Sequence, residues 1–163
     1  MNCSIPSRNP ELLKKLLGKK IVSVKRQLFE GDMDLFDFEQ SADGPIELTI
    51  NDVSKIHFFA KTEAASVGVA SGGMNHYGDS YEQRDVSNNT FWAERLGQEI
   101  KQILLLKTTD SSEECPGEFG VELFFSSGVG VLIEYRDEEN YPDMIRVSES
   151  YSGQPCIVWK VTQ

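Results

Sequence analysis

Residues 9–21 read NPELLKKLLGKKI, and residues 88–100, later in the chain, read NNTFWAERLGQEI. Both stretches begin at an asparagine and end in the pattern Leu-Gly-x-x-Ile. Asparagine is a favoured N-cap of helices, and a glycine just after the last turn adopts the left-handed conformation that ends many helices. Each stretch therefore predicts a short helix that leads directly into a strand.

A second pattern recurs in the same order after each predicted helix. Residues 46–50 (IELTI) and 121–125 (VELFF) carry apolar side chains at alternate positions, which is the period of a strand with one buried face. Glu47 and Glu122 fall on the opposite face, away from the core. Because the two patterns recur in order, we predict an internal duplication with repeats at about residues 9–86 and 88–163.

The connections between the predicted strands decide the fold class. Most are too short for the crossovers that parallel strands need, so the strands should pair antiparallel. A length of 163 residues suits a single domain. We therefore predict an α+β fold in which two tandem helix-plus-antiparallel-strand repeats form one compact, mainly-β domain with two short helices. The sequence leaves open whether the repeats share one sheet or form two.

Charge and composition exclude several classes of function. The formal net charge is −10, whereas nucleic acids and anionic membranes are bound by clustered basic side chains. No apolar run approaches the roughly 20 residues that span a bilayer, and residues 1–10 lack the pattern of a signal peptide. The three cysteines form no CxxC pair, as expected of reduced thiols. We expect a cytoplasmic protein that binds neither nucleic acid nor membrane.

Three segments of the chain, residues 30–39, 110–118 and 137–143, are acidic and contain no lysine or arginine. The first two lie in equivalent loops of the predicted repeats, and a meander would bring the third to the same end as the second. Negative charge with interleaved aromatic side chains is typical of a surface that binds a basic protein. The predicted partner-binding residues are Asp32, Asp34, Phe36, Asp37, Phe38, Glu39, Glu113, Glu114, Asp137, Glu138, Glu139 and Tyr141. The alternative is a set of solvated loops whose aromatic side chains cap the core.

Residues that could support catalysis or metal binding do not cluster along the sequence. Two histidines are the available imidazole bases, and the scattered cysteines and histidines do not match the spacing of a zinc site. Residues 31–37 resemble the start of a calcium loop, but the later ligand positions do not match. No glycine motif for phosphate binding is present. We therefore predict no catalytic residue, no metal and no cofactor.

Two hypotheses of function remain. A small acidic α+β protein without catalytic residues resembles the immunity proteins that neutralise bacterial toxins, a likeness of general type that rests on no aligned motif. The leading hypothesis is thus a non-catalytic acidic interaction module, of the immunity-inhibitor type, that binds a basic partner. The alternative is a small-molecule-binding or hydrolytic domain with a pocket between the repeats, near His76, Tyr77 and Asp79 in the glycine-rich loop at residues 71–80. The sequence identifies neither the partner nor the oligomeric state.

Overall fold

The computed structural model describes the backbone of residues 4–29, 42–138 and 141–162, and their side chains except at residues 42, 138 and 141–143. The described part contains two short helices, α1 (Pro10–Lys14) and α2 (Thr90–Ala93). Its strands are β1 (Ile21–Phe29), β2 (Ala42–Asp43), β3 (Ile46–Ile50), β4 (Lys55–Lys61), β5 (Ser66–Ser71), β6 (Tyr81–Asp85), β7 (Ile100–Lys107), β8 (Gly120–Phe125), β9 (Gly130–Glu138), β10 (Tyr141–Ser148) and β11 (Ile157–Lys160). Short 3-10 turns span Pro6–Arg8 and Thr62–Ala64.

The strands form two antiparallel sheets with the same strand order. The first sheet runs β5-β4-β3-β1-β6, and the second runs β10-β9-β8-β7-β11, with the two-residue strand β2 added beside β10. The predicted fold class is therefore confirmed: tandem helix-plus-strand units build a mainly-β domain with two short helices. The repeats form two sheets rather than one. Their boundaries at residues 9–86 and 88–163 stay a prediction.

Strand pairing in the two sheets also agrees in register. Val24 pairs with Leu48 in the first sheet, and Ile103 pairs with Leu123 in the second. Both sheets carry an irregularity in the register at the same place, near the start of β1 and of β7. A bulge adds a residue to one strand and shifts the pairing that follows. The apolar alternation seen in the sequence thus corresponds to equivalent positions in both sheets.

Two equivalent glycines join the halves of the molecule. Gly18 and Gly97 have φ angles of +80° and +77°, the predicted left-handed conformation, but they end the turns that follow α1 and α2 rather than the helices themselves. The N–H of Gly18 donates to the carbonyl of Ile100 at 2.9 Å, and the N–H of Gly97 donates to the carbonyl of Ile21 at 3.0 Å. The turn after each helix therefore bonds to the first strand residue of the opposite half, and the two contacts are reciprocal.

The hydrophobic core draws on both sheets and both helices. Alternate side chains of the inner strands meet in one buried cluster, and Leu13 of α1 and Trp92 of α2 belong to it. Burial of each large apolar side chain contributes about 1.5–3 kcal/mol. The core residues of the central strands include Val24, Leu48, Phe58 and Val69 in the first sheet and Ile103, Leu123, Ile133 and Val147 in the second.

A long loop crosses the outer face of each sheet. Because β5 and β6 lie at opposite edges of the first sheet, residues 72–80 must pass over its strands, and residues 149–156 do the same between β10 and β11. Glu47 on the outer face accepts a hydrogen bond from the N–H of Met74 at 2.9 Å, and the backbone N–H of Tyr151 in the second loop acts to lower the pKa of Glu122. Both glutamates face away from the core as predicted, yet they are buried because the loops cover them.

Val53 offers a test of backbone strain in the fold. It has a φ of +64°, while the equivalent turn of the second sheet has a glycine, Gly128, with a φ of +87°. In both turns the N–H of this residue donates to the carbonyl of the residue three positions earlier, Ile50 or Phe125, at 2.9 Å. A β-branched residue in the left-handed region carries roughly 1–2 kcal/mol of strain, which glycine would relieve. Glycine also makes the unfolded chain more flexible, and this offsets part of the gain in stability.

We expect Val53→Gly to raise the free energy of unfolding by about 0.5–1 kcal/mol, because Val53 is 83% exposed and loses no packing. The matched change Gly128→Val should lower the free energy of unfolding by roughly 1–2 kcal/mol. Urea denaturation of both variants checks this. Equal destabilisation by the two substitutions would contradict the assigned strain.

Candidate functional site

Two of the acidic segments meet at one end of the second sheet. Since β7, β8, β9 and β10 alternate in direction, the β7–β8 loop and the β9–β10 connection leave the sheet at the same end. Gly120 pairs with Glu134, and the N–H of Tyr135 donates to the carbonyl of Phe119 at 2.7 Å. Asp137 follows two residues later on β9, at the same end of the sheet as the β7–β8 loop.

Four exposed carboxylates occupy this end of the sheet and form what we call the acidic rim: Asp110, Glu113, Glu114 and Asp137. The cation Arg8 reaches the same place, because its Nη2 donates to the backbone carbonyl of Glu113 at 2.9 Å. The bond goes to the carbonyl, so it leaves the side-chain carboxylate of Glu113 directed to solvent. The rim therefore presents more negative than positive charge.

The remaining predicted partner-binding residues have no described side chain. Glu138 and Tyr141 are opposite each other in the backbone pairing of β9 and β10. The residues outside the described part of the chain are Asp32, Asp34, Phe36, Asp37, Phe38, Glu39 and Glu139. Glu113, Glu114 and Asp137 of the predicted set are thus exposed at the same end of the second sheet, as is Asp110, and a shared binding surface stays a prediction.

Glu118, at the end of the second acidic segment, is not part of the rim. Its side chain is buried, and both carboxylate oxygens accept hydrogen bonds from Ser7, one from the N–H at 2.8 Å and one from the hydroxyl. Its own N–H donates to Oγ of Ser66 at 2.9 Å, and its carbonyl accepts from Val67. Glu118 therefore ties the N-terminal turn and the start of β5 to the β7–β8 loop.

The alternative pocket residues lie on the loop that crosses the first sheet. His76, Tyr77 and Asp79 all have exposed side chains there. The ring of Tyr77 packs edge-on against Tyr81 with 4.7 Å between centroids. The loop is held at its start by His57, whose Nδ1 lies 2.9 Å from the carbonyl of Gly72. The loop lies on the outer face of the sheet, and a pocket near His76 stays a prediction.

A polar cleft that the sequence did not indicate lies under the second crossing loop. Its volume is about 230 Å³, and Oε1 of Glu134 lies 3.9 Å from a guanidinium nitrogen of both Arg136 and Arg146. The other lining residues are Ser148, Ser150, Tyr151, Ser152 and Gly153. Guanidinium groups and hydroxyls donate hydrogen bonds, so the cleft can hold a small anion such as a carboxylate or phosphate.

The first sheet has no comparable opening at the matching position. Glu134 pairs across strands with Arg146, and the corresponding pair in the first sheet is Phe59 and Gly68. The Phe59 ring lies so close over Gly68 that even a Cβ there would collide with it. One repeat thus fills this position with an aromatic ring, whereas the other leaves a polar space. Neither side-chain pair carries a periodic signal that would reveal this from the sequence.

Electrostatics around the cleft disfavour nucleophilic chemistry at its cysteine. Burial raises the pKa of Glu122, and the N–H of Tyr151 partly offsets this. Burial, followed by the charge of Glu122, raises the pKa of Cys156 above that of an ordinary thiol. Burial and the nearby Cys156 and Glu134 likewise raise the pKa of Tyr151. Cys156 is therefore a protonated thiol at neutral pH, and a thiol is a poor nucleophile compared with a thiolate.

Comparison with known proteins gives no relative to draw on: no family model matches the chain, and neither a curated protein nor a solved structure matches it significantly. In the part of the chain that the structure describes, no three Cys, His, Asp or Glu side chains are arranged to hold a metal ion. Over the same residues, no helix is long and apolar enough to cross a membrane.

Proposed function

We propose that this chain is a non-catalytic protein-interaction module, of the immunity-inhibitor type, whose acidic rim binds a basic partner. The observation that supports the proposal is that the β7–β8 loop, with its exposed Asp110, Glu113 and Glu114, and the end of β9, with its exposed Asp137, lie at the same end of the second sheet. Carboxylates gathered at one end of a sheet produce a local negative potential that scattered carboxylates do not.

Physical reasons favour a protein as the ligand of this rim. Complementary charge speeds the encounter of two proteins and selects against partners of the wrong sign. The carboxylates stand on loops anchored by buried bonds, such as those of Glu118 to Ser7, so little ordering is needed on binding. A rim of this kind fits a basic patch or a basic active-site mouth on the partner.

The proposal predicts a charge-dependent capture of a basic protein from the source organism. We expect wild-type protein to retain such a partner, and the neutralised variant Asp110→Asn/Glu113→Gln/Glu114→Gln/Asp137→Asn to bind it at least about tenfold more weakly, about 1.4 kcal/mol. The exposed positions of these residues leave the fold intact. Affinity is measured by surface plasmon resonance with the purified partner.

A matched control neutralises four exposed carboxylates elsewhere on the surface and should bind like wild type. It changes Asp52, Asp79, Glu82 and Glu94, which lie on a turn, a crossing loop, strand β6 and the end of helix α2. If the control loses as much affinity as the rim variant, net charge rather than the rim determines binding. If only the control loses affinity, the rim is not the binding site.

A further inference from the structure

Strand β11 forms an apolar edge of the second sheet. Ile157, Val158 and Trp159 are 39%, 51% and 45% exposed, and among the described strands β11 pairs with β7 alone. An exposed apolar edge strand is a template for pairing with another chain, and proteins usually block it with charges or prolines. Ile157, Val158 and Trp159 lack that protection, and Lys160 is the charged residue of β11.

The equivalent edge of the first sheet has the protection that β11 lacks. Strand β6 takes the same place in the strand order, with Arg84 opposite Arg26 where Trp159 is opposite Leu105. The sequence of β6, YEQRD, puts Glu82 and Arg84 at the positions of Ile157 and Trp159. Charged residues at such positions prevent strand addition. Within one molecule, therefore, one edge is blocked and its counterpart is open.

The backbone of β11 has hydrogen-bonding groups directed outward. The N–H of Val161 donates to the carbonyl of Ile103, its directly opposite residue, at 2.9 Å. In an antiparallel pair these bonded positions alternate along the strand, so the N–H and C=O groups of Val158 and Lys160 point away from β7. An added strand could bond to these groups.

Lysine side chains surround this edge in a chain whose net charge is −10. Nζ of Lys107 lies 4.7 Å from the centre of the Trp159 ring. A groove of about 200 Å³ contains Lys14, Trp159 and Lys160, and one of about 350 Å³ contains Lys101 and Lys160. Glu11 and Glu99 pair with Lys14 and Lys101 and neutralise part of this charge.

An open strand edge can pair with a second copy of this chain or with a segment of another protein, and the charge around β11 favours the second. Two copies of this chain paired through β11 would bring the lysines of both copies together, which is unfavourable. An acidic segment would instead meet those lysines while its apolar side chains cover Ile157 and Trp159. We propose that β11 binds an extended, acidic and apolar segment of another protein, which adds to the second sheet as a further strand.

The test uses a fluorescein-labelled synthetic peptide in which glutamate and valine alternate, with binding followed by fluorescence anisotropy. Saturable binding to wild-type protein is expected, and at least about tenfold weaker binding is expected for a peptide of alternating lysine and valine. N-methylation of alternate backbone amides in the acidic peptide should abolish binding, since the added strand then lacks its N–H donors. This arm of the test requires no variant of the protein.

A variant that copies the blocked edge onto β11, Ile157→Glu/Trp159→Arg, should bind the acidic peptide at least about tenfold more weakly. The control Val53→Glu introduces an acidic side chain at an exposed apolar residue on the β3–β4 turn of the first sheet and should bind like wild type. Absence of saturable binding, equal binding of the basic peptide, or binding that survives N-methylation would overturn the proposal. So would a wild-type dimer in analytical ultracentrifugation that this β11 variant abolishes, because the occupant would then be a second copy.

Discussion

Replacing Arg95 by alanine is expected to lower the free energy of unfolding by about 3–4 kcal/mol. Arg95 is 1% exposed, and its Nε and Nη1 donate to the carbonyls of Gly130 and Phe91 at 2.8 and 2.6 Å. The guanidinium also lies 3.7 Å from the centre of the Phe91 ring. Alanine would leave a cavity and two carbonyls without their donor, so packing and hydrogen-bonding losses add.

The charge of Arg95 contributes little to the expected change in the free energy of unfolding. Burial lowers its pKa, and the carboxylates of Glu149 and Glu94 partly offset this effect. Both carboxylates are well exposed, so removal of Arg95 leaves them in water and adds little penalty. The expected loss therefore comes from the cavity and the two carbonyls rather than from broken ion pairs.

A matched substitution separates these contributions. In the sequence repeat, Arg95 corresponds to Leu16, which is fully buried. Arg95→Leu restores much of the volume but not the donors, and it should cost about 1–2 kcal/mol, less than alanine. Chemical denaturation of both variants gives the comparison. A loss below about 1 kcal/mol for the alanine variant would show that Arg95 does not stabilise the fold in this way.

Replacing Glu118 by alanine is the second large effect, with an expected loss of about 2–4 kcal/mol. The substitution removes the acceptors for the N–H and hydroxyl of Ser7 and leaves these donors at a partly buried junction. Glu113→Ala and Glu114→Ala, in the same acidic segment, should change stability by less than about 0.5 kcal/mol because both side chains are exposed.

Thermal unfolding of the three variants distinguishes a structural carboxylate from the rim carboxylates. Glu118→Gln provides a further control, since its amide oxygen keeps one acceptor for Ser7 and should recover part of the lost stability. Equal stability of the Glu118 and Glu113 variants would contradict the structural role of Glu118.

The parts of the fold that the sequence predicted are those with a local physical signal. Gly18 and Gly97 mark the turns between each helix and the following strand because the left-handed conformation strongly favours glycine. The alternation in residues 46–50 and 121–125 marks strands because one face of each is buried. These signals recur in both halves, and the duplication could be read from their order alone.

The features that the sequence did not predict arise where a side chain is buried or bonded by segments far away in the sequence. Glu47 and Glu122 lie on the predicted outer face, but their burial comes from loops that must cross the sheets because the first and last strands lie at opposite edges. Arg95 at a core position and the pairing of Glu118 with Ser7 are likewise tertiary. Polar residues in core positions carry no period that distinguishes them from surface residues.

The candidate sites also combine features that could be predicted from the sequence with features that depend on the tertiary structure. Exposed acids in loops could be predicted as a group, whereas the alternating directions of β7 to β10 decide which acidic segments share an end of the sheet. The open edge at β11 is visible only when Trp159 is compared with Arg84 at the matching place in the other sheet. Sequence composition gives the charge of a surface, but strand pairing decides which charges are neighbours.

The binding role of the acidic rim is tested most directly by the salt dependence of the affinity for the captured basic partner. Isothermal titration at about 0.05 M and about 0.3 M NaCl should show the wild-type affinity falling at least about tenfold, because salt screens exposed charges. The four-residue rim variant should bind weakly at both concentrations, with little dependence on salt. Wild-type and rim-variant proteins that bind with the same affinity and the same salt dependence would contradict the account.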